Sequence, residues 1–160
     1  MPVLDIAKDV ENHTLTITAE FRAPVKRVWA VYADPRQLER VWGPPGYPAT
    51  FVDHDLTPGR RSTYYMTGPD GERYGGWWQI TEVDEPRSFR FDEGYADANL
   101  TPKPDLPVSH NVYSFISVGD ATRATYLIAF DSAEDLQTVL DMGTEEGMRD
   151  AIGQIDQALA

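Results

Sequence analysis

The sequence predicts an α+β domain: one curved antiparallel sheet of about seven strands, packed by few helices. Three observations carry this. Thr14–Phe21 alternates strictly between apolar residues and threonines or a glutamate, the pattern of a half-buried antiparallel strand. From Ala49 to Asp131 short apolar stretches are punctuated by turn signals, among them Gly68-Pro-Asp-Gly71 and Gly119-Asp120. Only residues 132–160 have the length and spacing of a long helix.

Taken in order, residues 1–13 read as a lead-in without a firm pattern. Leu15, Ile17, Ala19 and Phe21 then form one face of the first strand. Pro24 opens a short helix at a position that tolerates a missing N–H, with Val25, Val28, Trp29 and Tyr32 as its stripe. Asp34-Pro35 ends it and begins a second, which runs to Trp42 and buries Leu38 and Val41. Gly43-Pro-Pro-Gly46 stops regular structure. Strands follow at Thr50–Leu56, Arg60–Thr67, Arg73–Val83 and Ser88–Glu93. Asp97–Pro107 holds Pro102, Pro104 and Pro107, so it is a loop, expected at the mouth of whatever the sheet encloses. Val108–Val118 and Thr122–Asp131 complete the sheet as a hairpin.

Ser132 caps the closing helix, with acids following in its first turn. Its apolar positions fall into two sets, Leu136 to Gly143 and Met148 to Leu159, whose directions differ by about 100° on one ideal wheel. The helix either wraps a curved surface or breaks near Gly143, and Thr144-Glu-Glu supplies a fresh start that favours the break. Gly143 and Gly147 each cost about 1 kcal/mol against alanine inside a helix. On the buried side they leave a hollow.

The chain has 160 residues, enough for one domain (1–160) with a real core. Its 41% hydrophobic and 25% charged content is that of a globular protein. A net charge of −12 disfavours nucleic acid and anionic membrane surfaces. No cysteine is present, which removes disulfides, thiol nucleophiles and thiolate metal sites. Neither a signal sequence nor a membrane-spanning stretch is evident, so a cytoplasmic location is expected.

His13, His54 and His110 share no ligand spacing, so no metal and no cofactor is expected. Alternation sets His54 opposite Asp53 and Asp55. No serine sits in a nucleophile elbow. What remains is aromatic: tyrosines along the strands, Trp77-Trp78 side by side, and Trp42 at the glycine–proline corner. Tyrosine hydroxyls on an apolar wall are the kind of polar groups that orient a small ligand.

Phe21-Arg-Ala-Pro24 with Val28-Trp29, Asp34-Pro35 and Val41-Trp42-Gly-Pro44 resembles the opening of the family named for the activator of heat-shock protein 90 ATPase. Asp55-Leu-Thr-Pro-Gly59, Gly68-Pro-Asp-Gly71, Val83-Asp-Glu-Pro86, Thr122-Arg123, Glu146-Gly-Met148 and Gln154-Ile-Asp156 continue the likeness. The resemblance implies the START-like helix-grip fold, in which the sheet grips the C-terminal helix around an apolar cavity. The expected function is binding of a small apolar or aromatic molecule there, without a catalytic residue. Trp42, Tyr64, Met66, Trp77 and Tyr113 are the expected contacts from the sheet side, with Phe115 and Tyr126. Gly143, Gly147 and Met148 are those from the helix. An enzyme acting on a cyclic or polyketide-like compound is the alternative, with Tyr64, Tyr126 and Asp55 as its ionisable groups. A co-chaperone-like interaction domain is the third reading, and a homodimer is left open.

Overall fold

The computed structural model describes residues 2–159. Its eight strands are β1 (Val3–Asp9), β2 (Thr14–Phe21), β3 (Ala49–Asp53), β4 (Arg61–Thr67), β5 (Arg73–Asp84), β6 (Ser88–Ala96), β7 (Ser109–Val118) and β8 (Ala121–Ala129). They form one antiparallel sheet in the order β1-β2-β8-β7-β6-β5-β4-β3. Helices α1 (Val25–Ala33) and α2 (Pro35–Trp42) connect β2 to β3, and α3 (Ala133–Asp141), α4 (Thr144–Gly153) and α5 (Ile155–Leu159) follow β8.

The supposed lead-in is therefore a strand, and the sheet has eight strands rather than about seven. A register shift between Val3 and Asp5 breaks the period of two, so its apolar contacts fall at Val3 and Ile6. The strand expected at Thr50–Leu56 is shorter: after a second shift between Phe51 and Asp53, pairing stops at Asp53. His54 then turns inward, its Nδ1 2.8 Å from Ser62 Oγ and its Nε2 2.6 Å from the Tyr32 carbonyl oxygen.

The C-terminal stretch is not one helix but three. Ser132 caps α3 by accepting from the Asp135 N–H at 3.0 Å. Gly143 follows α3 in the left-handed region at φ 83°, a conformation that glycine adopts without steric cost. The Gly143 N–H bonds back to Leu140, while its carbonyl accepts from Gly147 and starts α4 in a new direction. Of the two apolar stripes read from the wheel, the first thus belongs to α3 and the second to α4 and α5.

Inner-face residues of β2, β5, β6, β7 and β8 pack against α1 through a continuous aromatic group. Tyr32 lies 5.6–6.2 Å from Phe89, Tyr113, Phe115 and Tyr126, centroid to centroid. Trp78 is fully buried against Phe91 at 4.2 Å. A second cluster joins Leu15, Ile128 and Phe130 to Leu136 and Val139 of α3. Between these two packed regions the sheet and α4 stand apart.

Candidate ligand cavity

That gap is a cavity of about 620 Å³. Its floor is the inner face of β4 to β8, contributed by Tyr64, Met66, Glu93, Tyr113, Tyr126 and Ile128. Trp42 closes one flank from the end of α2, and Gly143, Gly147, Met148 and Ile152 form the roof. Gly147 explains why the roof stands off: no atom lies within 4 Å of where its Cβ would be. Exposed lining residues Arg73, Tyr74, Ala98, Lys103 and Met142 mark the side open to solvent. The proline loop is at that opening, as its lack of periodicity led one to expect, and it is tied down by Asp97, whose carboxylate accepts from the Asn99 and Thr101 N–H groups.

The residue that sets the chemistry of this space is one the sequence reading did not single out. Alternation along β6 puts Phe89, Phe91, Glu93 and Tyr95 on one face, so a carboxylate follows two core phenylalanines inward. Glu93 Oε2 accepts a 2.7 Å hydrogen bond from Tyr64 Oη and a 3.2 Å bond from Trp78 Nε1. No cation pairs with it among the described residues. Burial raises its pKa from 4.5 to about 7, and the two donors only partly oppose this. Burial, then the charge on Glu93, pushes the Tyr64 phenol well up. Room for the Tyr64 ring comes from Gly76, whose Cβ would stand inside it.

The other hydroxyls divide into paired and unpaired. Tyr32 and Tyr126 share a buried 2.7 Å bond, in which either hydroxyl can be the donor. Tyr113 Oη has no hydrogen-bond partner among the described residues, yet it is not sealed off by protein, and the ring lines the cavity.

Of the residues read as contacts, Trp42, Tyr64, Met66, Tyr113, Tyr126, Gly143, Gly147 and Met148 all border this space. Trp77 and Phe115 do not. Trp77 lies on the outer face, its indole filling the place left by Gly94 and the Arg61 guanidinium 4.7 Å above its ring. Its neighbour Trp78 takes the inward position. Phe115 does face inward, but beyond the cavity floor, edge-on to Trp29 at 6.2 Å. Asp55 is also misplaced as an inward group, since it sits in the exposed turn after β3 and faces Arg60 at 3.9 Å.

A family model for Activator of Hsp90 ATPase homolog 1-like protein matches residues 22–160. The chain belongs to that family. A crystal structure of protein Ms6760 from Mycobacterium smegmatis is 62% identical, with a TM-score of 0.92 over 99% of this chain and 98% of that one. An NMR structure from Arthrobacter aurescens is 49% identical, with a TM-score of 0.94 over 98% and 91%. An AHSA1 protein from Silicibacter pomeroyi, 23% identical at a TM-score of 0.74 over 91% and 96%, shares the fold. No curated protein matches. The Activator of Hsp90 ATPase homolog 1-like family and these structures agree with the helix-grip arrangement, and no helix among the described residues is long and apolar enough to cross a membrane.

Proposed function

We propose that this protein binds a small, mostly apolar molecule between its sheet and α4. The carrying observation is the cavity itself. Its 620 Å³ lies in the range of small-molecule pockets, and its wall is mainly rings and aliphatic groups with a few convergent polar atoms. Native cores are packed to crystal-like density, so a space of this size is out of keeping with packing alone. Gly147 maintains it at the expense of helix propensity.

The test is Gly147→Leu with N-phenyl-1-naphthylamine, a neutral fluorescent probe. The new side chain meets open space, so the fold is kept and helix propensity improves by about 1 kcal/mol. Probe affinity should fall about tenfold or more, as one lost interaction of ~1.4 kcal/mol already does. Unchanged affinity, or no binding by the wild type, would refute the proposal.

A further inference from the structure

Resting on that reading, we infer that the cavity selects ligands carrying a hydroxyl, a phenol being the simplest, whose O–H is donated to Glu93 Oε1. The carboxylate's two oxygens are used unequally. Both protein donors, Tyr64 Oη at 2.7 Å and Trp78 Nε1 at 3.2 Å, go to Oε2. Oε1 has no partner among the described residues and is not sealed by protein, so it opens on the cavity that Glu93 lines. An ionised carboxylate accepts at both oxygens, so Oε1 is free to take a hydrogen bond from a donor that a ligand brings.

No protein donor bonds to Oε1 among the described residues. Arg73, the nearest lining cation in the strand order, lays its guanidinium 4.2 Å over the outer-face Tyr65 ring. Lys103 is exposed at the opening. Tyr64 already donates to Oε2, and Tyr32 and Tyr126 hold each other. Another cavity-lining polar atom without a hydrogen bond is Tyr113 Oη, whose pKa is pushed well up by burial and then by the charge on Glu93. A ligand hydroxyl serves both atoms, giving its proton to Glu93 and accepting one from Tyr113. A ketone or ether serves only Tyr113 and meets the carboxylate lone pairs. A hydrocarbon serves neither.

The experiment compares 2-naphthol with 2-methoxynaphthalene, the same ring without the O–H, at about pH 8, where Glu93 is ionised. Titrations use the wild type, Glu93→Gln and Gly147→Leu, with folding checked by circular dichroism. The wild type should prefer 2-naphthol about tenfold, the worth of a hydrogen bond to a charged acceptor. In Glu93→Gln, Tyr64 and Trp78 hold the amide oxygen and turn the NH₂ to the cavity, so the preference should vanish or reverse. Equal binding of the two compounds by the wild type, or a preference that survives in Glu93→Gln, overturns the inference. If both compounds bind equally and Gly147→Leu blocks both, the cavity reading stands and only the selectivity falls. If neither binds, both fall.

Discussion

Gly76→Val is expected to lower the unfolding midpoint by roughly 10 °C, the largest effect of any substitution proposed for the cavity wall. Gly76 and Tyr64 are cross-strand partners on β5 and β4, and a Cβ at position 76 would occupy the Tyr64 ring. The ring cannot easily retreat. Phe51 is stacked on it at 4.9 Å and Trp42 meets it edge-on at 5.9 Å. Overpacking of this kind costs about 1–3 kcal/mol. Moving Tyr64 also removes a hydrogen bond to a partly buried carboxylate, a further loss of about 1.5–3 kcal/mol. Adding Tyr64→Leu to Gly76→Val should restore part of the stability, because the two sites share one volume. Thermal unfolding by circular dichroism measures both. A shift below about 3 °C for the single variant would mean that the wall yields there.

Glu93→Gln should stabilise the protein at about pH 8 and change little at about pH 4.5. The sign follows from the direction of the shift. Glu93 titrates near 4.5 when unfolded and at about 7 when folded, so the folded state holds the proton more tightly. Stability from this group is complete below 4.5 and is lost as pH rises to about 7. A difference of this size amounts to about 3 kcal/mol, reduced to roughly 2 kcal/mol because the cavity admits solvent to one oxygen. Glutamine accepts the same two hydrogen bonds and escapes the loss. Other groups move in the same window. Asp92 and then Asp131 hold the His110 pKa up against burial, while burial lowers that of His54. Both act alike in the two proteins, so the difference between variant and wild type isolates Glu93. Urea unfolding across this range gives the curve, and a difference independent of pH would contradict it. A carboxylate that costs stability at neutral pH is hard to explain by folding alone, which is why its open oxygen is the natural place to look for function.

Local signals carried much of the architecture. Ser132 and Gly143 mark the ends of α3 because capping and a left-handed turn each demand particular residue types. Gly147 pointed to a hollow because glycine is costly in a helix. What stayed hidden depended on partners distant in sequence. Adjacent Trp77 and Trp78 must face opposite ways, but only the pairing of Tyr64 with Gly76 and Trp77 with Gly94 decides which is inside. Glu93 followed the alternation begun by Phe89 and Phe91, and that signal was readable. A charged residue is ordinarily assigned to the surface, however, and the donors that hold this one inside come from Tyr64 and Trp78 on other strands. In β1 a bulge erased the period on which strand recognition relies.

The most direct measurement uses the four tryptophans as reporters in a two-dimensional NMR titration with 2-naphthol. Trp42 lines the cavity, and Trp78 donates its indole N–H to Glu93. Trp29 is packed on Phe89 and Phe115, and Trp77 lies on the outer face beneath Arg61. Occupation of the space between the sheet and α4 should shift the indole N–H resonances of Trp42 and Trp78 and leave those of Trp29 and Trp77 in place. Movement of Trp77 alone, or of none of the four at saturating ligand, would contradict the account.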